Sequence, residues 1–199
     1  MSDTLTIDPS RTALLVMDYQ AGIVNSVGDT DTALHHTIDA IALVRKAGGR
    51  VGYVRVAFTD EDIAAIPASS HFASVATPER REYLHADSPT TAIDERVAPE
   101  SGDIIVRKTR VGAFSTTDLD QQLRAVGVDT LILAGLSTSG VVLSTVRDGA
   151  DRDYRIIVLA DACADPQPGV HEFLTEKVFP RQTQVTTTEE LGKLLGAQD

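Results

Sequence analysis

The chain has 199 residues, a formal net charge of −11 from 18 Lys and Arg against 29 Asp and Glu, and 42% hydrophobic residues. This length predicts a single domain over residues 1–199, with enough apolar residues for a core that needs no disulfide. The acidic balance argues against nucleic acid and anionic membrane surfaces as partners. The single cysteine, Cys163, excludes an intrachain disulfide framework and any multi-cysteine metal site.

The first residues lack the features of an export signal. Residues 1–8 (MSDTLTID) are polar and acidic, with neither a basic start nor an apolar stretch after it. No apolar run in the sequence is long enough to span a membrane. We therefore expect a cytoplasmic protein that binds a small molecule and does not bind a membrane.

Short apolar runs alternate with helical patterns along the chain. The run at residues 13–17 (ALLVM) is continuously apolar, which is typical of a strand buried on both faces. Further strands are predicted at residues 51–58, 104–106, 130–135, 155–160 and 185–187. Helices are predicted at residues 33–47, 139–151 and 170–179, and after the capping residues Thr117 and Thr187. This alternation predicts a parallel sheet with helices on both faces.

Residues 59–99 interrupt the alternation. The segment holds four of the eight prolines and predicts a long, loop-rich excursion whose role the sequence leaves open. Within it, Arg80 and Arg81 are either a contact for an acidic substrate or a solvated pair. Because open α/β sheets bind ligands at the carboxyl ends of their strands, the candidate site residues are sought there.

Two charged residues follow predicted strands. Asp18 comes directly after the first strand, where a buried carboxylate needs either backbone N–H partners or a chemical role. Lys108 lies two residues beyond the third strand and is one of only four lysines against 14 arginines. Because the pKa of a buried lysine moves readily, Lys108 is a candidate for acid–base work, with a solvated loop lysine as the alternative.

The turn after the fourth strand is built from small residues, namely Ser137, Thr138, Ser139 and Gly140. Backbone N–H groups at the helix start that follows could hold an oxyanion or a carboxylate. An ordinary helix cap is the alternative reading of this turn. Since parallel strands end at one edge of the sheet, we expect Asp18, Lys108 and this turn to converge.

The order of these motifs resembles the isochorismatase-like cysteine hydrolase superfamily. The matching pieces are residues 13–20, Lys108 followed by residues 112–119, residues 130–138 and residues 161–165. The resemblance implies an α/β fold, a Rossmann-like three-layer α/β/α sandwich around a six-stranded parallel sheet. It also implies a homo-oligomer, either a dimer or a tetramer.

The resemblance assigns Asp18 and Lys108 to two members of the Asp, Lys and Cys triad of that family. Val141 stands at the position of the nucleophilic cysteine, whereas Cys163 matches a position that is usually structural. Because valine cannot attack a carbonyl carbon, amide hydrolysis through a thioester is not expected.

The resemblance also bears on cofactors. Nicotinamidases of this family bind a metal through an aspartate and two histidines after the second strand. Here that loop has an acidic run at residues 60–62 and one histidine, His71. We therefore expect neither a metal nor another cofactor.

Isochorismatase itself, one branch of the superfamily, also lacks the nucleophile and cleaves a vinyl ether to release pyruvate. This chemistry needs a positioned acid to protonate the terminal carbon, after which water adds to the oxocarbenium ion. Asp18 would be that acid, and Lys108 would either orient it or bind a substrate carboxylate. A nearby ammonium lowers the pKa of Asp18 and burial raises it, so their balance decides whether Asp18 can donate a proton. Candidates for the substrate pocket are Gln20, Phe58 and Phe114.

The function expected is a hydrolase without the family cysteine, acting on a small carboxylate-bearing substrate. One alternative is hydrolysis of an amide or another C–N bond by a serine or threonine hydroxyl or an activated water. No histidine lies near the turn in sequence to activate such a hydroxyl. The other alternative is a homologue that only binds a small molecule or serves as a scaffold. Retention of Asp18 and Lys108 favours an enzyme, because an idle buried ion pair costs desolvation energy.

Overall fold

Six parallel strands form the centre of the computed structural model, which describes residues 6–27 and 30–196. The strands are β1 Thr12–Met17, β2 Arg50–Val56, β3 Ile104–Lys108, β4 Thr130–Leu136, β5 Arg155–Ala164 and β6 Gln184–Thr186. Their order across the sheet is β3-β2-β1-β4-β5-β6, so β1 and β4 are central and every residue in both is buried. Burial on both faces explains their continuous apolar sequences.

Eight α-helices accompany the sheet in the described part of the chain. They are α1 Ala21–Val24, α2 Asp31–Lys46, α3 Asp60–Ala64, α4 Pro78–Leu84, α5 Leu119–Ala125, α6 Leu143–Asp151, α7 Val170–Phe173 and α8 Thr188–Leu194. The side chain of Thr187 accepts a hydrogen bond from the Glu190 N–H, as expected of a cap for the last helix. No helix among these residues is long and apolar enough to cross a membrane.

Alternate residues of β1 point into two separate apolar layers. Leu14 and Val16 pack in the cluster that includes α2 and α8, whereas Leu15 and Met17 pack with α5 and α6. Helices therefore cover both faces of the sheet, and the predicted three-layer α/β/α architecture with six parallel strands is confirmed. Three strands run further than predicted, since β3 extends to Lys108, β4 to Leu136 and β5 to Ala164.

The excursion at residues 59–99 is more ordered than a plain loop. It contains α3, α4 and short 3₁₀ turns, and Ile63 and Val75 pack with Phe58 in a small apolar cluster of their own. Its return is attached to the segment that follows β1. The Ala21 N–H donates to the Ala92 carbonyl at 3.0 Å and the Asp94 N–H donates to the Tyr19 carbonyl at 2.9 Å. The excursion is thereby held against the carboxyl end of the sheet.

Candidate active site

Asp18 begins the site at the carboxyl end of β1. Its backbone has φ 58°, a left-handed conformation that is uncommon for residues other than glycine and that turns the chain out of the sheet. The turn is held because the Asp18 N–H donates to the Val54 carbonyl of the neighbouring strand at 2.8 Å. The ends of β1 and β2 therefore fix the position of the Asp18 backbone.

Lys108 faces Asp18 from the end of β3. Its Nζ lies 2.8 Å from Asp18 Oδ2, and the two side chains are only 3% and 8% exposed. The same Nζ donates to the carbonyls of Val111 at 3.0 Å and Arg110 at 3.3 Å, which accounts for all three of its protons. Burial excludes the solvated loop lysine, and the filled hydrogen bonds favour orientation of Asp18 over binding of a substrate carboxylate.

The other oxygen of Asp18 is available for chemistry. Asp18 Oδ1 is buried and has no hydrogen-bond partner among the described residues. Burial raises the pKa of Asp18, and this effect exceeds the lowering by the charge and hydrogen bond of Lys108. A proton on this carboxyl is therefore held on Oδ1, since Oδ2 already accepts from the ammonium.

The turn after β4 forms a π-helical turn over Thr138–Val142. Within it, the Ser139 N–H donates to Asp165 Oδ2 at 2.7 Å and the Gly140 N–H donates to the Ser137 carbonyl at 3.2 Å. Two of the N–H groups predicted to face an anion, those of Ser139 and Gly140, are thus bonded to the protein itself.

The fold brings one histidine to this turn. Thr138 Oγ1 lies 2.9 Å from Nδ1 of His171, a residue of α7. The sequence spacing carries no signal for this contact, because 33 residues separate the two positions. Thr138 has no exposed surface, so its hydroxyl supports the turn rather than facing a substrate.

Val141 is part of the apolar core on the α5 and α6 side of the sheet. It is 2% exposed and clusters with Ala113, Phe114 and Val142. Cys163 is also buried, and burial raises the pKa of its thiol to about 12. A thiol in this state is not a nucleophile at neutral pH, which agrees with a structural role for Cys163.

The three pocket candidates lie in three different environments. The Gln20 carboxamide donates to the Val56 and Thr91 carbonyls and accepts from the Val56 N–H, so its polar atoms are bound to backbone. Phe114 stacks on Tyr154 in the core with ring centres 5.8 Å apart. Phe58 packs with the excursion, its ring centre 6.2 Å from that of Phe72. Gln20 and Phe58 therefore both join the carboxyl end of the sheet to the excursion, whereas Phe114 lies in the core.

The excursion carries a surface depression of its own. It has a volume of about 550 Å³ and is lined by Pro78, Arg81, Glu82, His85, Asp87, Ser88 and Pro89. Arg81 pairs with Asp60 at 2.7 Å on the surface, so it is a solvated ion pair in this structure. Within the described ranges, no group of three or more His, Cys, Asp or Glu side chains is arranged to hold a metal ion.

The chain is similar to known proteins over most of its length. A model described as the isochorismatase domain matches residues 12–190. The uncharacterized isochorismatase family protein YwoC of Bacillus subtilis is 34% identical over 190 residues, which cover 96% of this chain and 97% of YwoC. The ureidoacrylate amidohydrolase RutB of Methylorubrum extorquens is 31% identical over 185 residues, or 83% of this chain and 75% of RutB. The maleamate amidohydrolase of Pseudomonas putida is 31% identical over 169 residues, or 81% and 76%.

Solved structures show the same likeness in three dimensions. A cysteine hydrolase from Pseudomonas syringae superposes with a TM-score of 0.85 at 29% identity, covering 99% of both chains. An N-carbamoylsarcosine amidase from Thermoplasma acidophilum superposes with a TM-score of 0.72 at 27% identity, covering 90% of this chain and 97% of that one.

Proposed function

The chain belongs to the isochorismatase family of hydrolases, and we propose that it hydrolyses a small carboxylate-bearing substrate by acid–base catalysis at Asp18. In this proposal water attacks the substrate directly, and no covalent intermediate forms on the enzyme. The observation that carries it is the buried Asp18 Oδ1, which has no partner among the described residues.

The protonation of Asp18 supports a role as general acid. Because burial outweighs the effect of Lys108 on the pKa, the carboxyl retains its proton closer to neutral pH than an exposed aspartate does. Lys108 acts as a positioning residue, since its Nζ binds Oδ2 and leaves Oδ1 to carry the proton that is transferred.

The reaction that uses these groups most directly is vinyl ether hydrolysis. Asp18 gives its proton to the terminal carbon of the enol ether. This protonation converts the ether into an oxocarbenium ion. Water adds to that cation and returns a proton to the Asp18 carboxylate. The hemiketal then collapses to an alcohol and a 2-oxo acid such as pyruvate. Each step requires one carboxyl group and no thiol, which suits a chain with Val141 at the proposed nucleophile position and a buried Cys163.

Amide hydrolysis is the second candidate, because ureidoacrylate and maleamate, named for two relatives, each combine a carboxylate with an amide-type C–N bond. In that reaction Asp18 would protonate the leaving nitrogen while water attacks the carbonyl carbon. Thr138 is a poor nucleophile for it despite the contact with His171, since the hydroxyl is fully buried.

Product release by the purified chain tests both reactions. Pyruvate would be measured from isochorismate, and ammonia from maleamate and ureidoacrylate, for the unaltered protein and for Asp18→Asn. We expect turnover of one substrate class and a loss of about 10²- to 10⁴-fold in Asp18→Asn. Asp87→Asn is the matched control, because that side chain is 92% exposed.

Two outcomes would contradict the proposal. Turnover that survives in Asp18→Asn would remove Asp18 as the acid. Failure of the folded, unaltered chain to release product from any of the three substrates would favour the binding or scaffold role.

A further inference from the structure

Arg110 lies on the loop that follows β3 and is half-buried. Its Nη1 donates to the carbonyl of the preceding residue, Thr109, at 2.6 Å. No carboxylate of the described residues pairs with it, although the chain has 29 acidic residues. A guanidinium has five N–H donors, so most of this fork is without a protein partner within the described ranges.

The backbone of Arg110 is tied directly to the acid–base pair. Its carbonyl accepts from Lys108 Nζ at 3.3 Å, and the same Nζ lies 2.8 Å from Asp18 Oδ2. The position of Arg110 is therefore coupled to that of the Asp18 carboxyl through one ammonium group.

An aromatic wall supports the guanidinium. The Arg110 Cζ atom lies 5.4 Å from the ring centre of Phe72, a residue of the excursion. Phe72 in turn contacts Phe58, which follows β2. The face of an aromatic ring holds a guanidinium by cation–π attraction. The N–H groups at the edge of the guanidinium then stay free to bind another group.

We propose that Arg110 binds the carboxylate of the substrate and so makes the site select carboxylates over neutral analogues. The inference rests on the proposed function and adds the group that recognises the substrate. The planar fork of an arginine matches a carboxylate with two parallel hydrogen bonds. Lys108, with its three protons already used, leaves this task to Arg110.

Isothermal titration with maleamide, maleamate and maleate tests the assignment, because these ligands share one carbon skeleton and carry zero, one and two carboxylates. The titrations use the full chain carrying Asp18→Asn, so that maleamate is not consumed. With Arg110 present, we expect maleamate to bind at least about 10-fold more tightly than maleamide, and Arg110→Gln to abolish that preference. Arg110→Lys keeps the charge but loses the fork, so it should retain only part of the preference.

Arg50→Gln is the matched control, because Arg50 is exposed at the opposite end of β2 and should leave the preference unchanged. Circular dichroism and thermal unfolding verify that each variant is folded. An equal preference in Arg110→Gln, or no binding of maleamate and maleate at millimolar concentrations when Arg110 is present, would overturn the assignment. If the preference depends on Arg110 but the unaltered chain hydrolyses no substrate, the assignment stands and the proposed reaction fails.

Discussion

Two regions at the carboxyl edge of the sheet treat their polar groups in opposite ways. At the ends of β1 and β3, a carboxyl and an ammonium are buried together, and one carboxyl oxygen has no partner among the described residues. At the turn after β4, the N–H groups of Ser139 and Gly140 bond to the protein itself, and Val141 packs into the core.

The difference indicates where reactivity lies. Burial of charge costs free energy, and an unpartnered polar atom adds to that cost unless a ligand satisfies it. Bonded N–H groups, such as those of Ser139 and Gly140, carry no such cost. Proton transfer is therefore expected at the first region and structural support at the second. Four substitutions test this contrast, from the largest expected effect to the smallest.

Removing the ammonium should disable the first region. Lys108→Met replaces the side chain with an apolar one of similar length, so Asp18 loses the group that orients it. We expect kcat to fall by about 10²-fold, the effect of a misplaced catalytic group, as measured by product release. Lys46→Met, at an exposed lysine of α2, is the control. Equal activities of the two variants would mean that Lys108 does not position Asp18.

Shortening the side chain at the second region should affect stability. Val141→Ala removes two buried methyl groups and leaves a cavity, so the free energy of unfolding should fall by about 2 kcal/mol. Urea denaturation measures this change. Val126→Ala, at a valine 36% exposed, should cost less than about 0.5 kcal/mol. Similar values for both would show that Val141 is not a core residue.

Stability should depend on pH through Asp18. Because its pKa is raised by burial, the folded chain keeps a proton that the unfolded chain releases near pH 4. The contribution of this proton to the free energy of unfolding is complete below that pH. It is lost by up to about 1.4 kcal/mol per pH unit as the pH rises toward the folded-state pKa. Asp18→Asn should remove this slope from urea unfolding curves measured between about pH 4 and pH 8.

Asp94→Asn is the control for that slope. The hydrogen bond from Arg96 is the main cause that lowers the pKa of Asp94, so its stabilisation is lost only as the solution becomes acidic. The loss in the free energy of unfolding caused by Asp94→Asn should therefore stay constant across neutral pH. A slope that persists in Asp18→Asn would assign the pH dependence to another group.

The smallest effect is expected at the hydrogen bond between Asp165, which follows β5, and the turn after β4. Asp165→Asn removes the charge from the acceptor of the Ser139 N–H, so the free energy of unfolding should fall by about 1 kcal/mol. Urea denaturation beside Asp87→Asn, which alters an exposed aspartate, measures the difference. No difference between the two would mean that this bond does not stabilise the turn.

The sheet was predictable because its signal is local. The apolar run of β1 and the residues that follow it place Asp18 at a strand end without any long-range information. Lys108 was harder to interpret, because its burial depends on β3 extending beyond the apolar residues and on the carbonyls of the next loop. Its sequence position alone is also compatible with a solvated side chain.

Contacts between distant segments could not be predicted from one sequence. The approach of His171 to Thr138 and the cation–π contact of Arg110 with Phe72 each join segments with no shared pattern. The bonds of the Gln20 carboxamide to the backbone of β2 and of the excursion likewise carry no signal in the sequence. Such pairings follow from the packing of loops, for which periodicity carries no information.

The hydrogen bonds of the Gln20 carboxamide to β2 and to the excursion have a consequence for how this protein could be re-engineered. One carboxamide joins Val56 to Thr91, and Arg55 Nη1 also donates to the Thr91 carbonyl at 3.2 Å, so residues 57–90 form a closed cassette whose two ends are held together. Because the entropy of loop closure grows only slowly with length, cassettes of other lengths grafted at this position cost little in closure entropy, and their stability depends on whether they replace the apolar packing of Ile63 and Val75. A library of such grafts would vary the wall opposite Arg110 while the sheet that carries Asp18 stays unchanged.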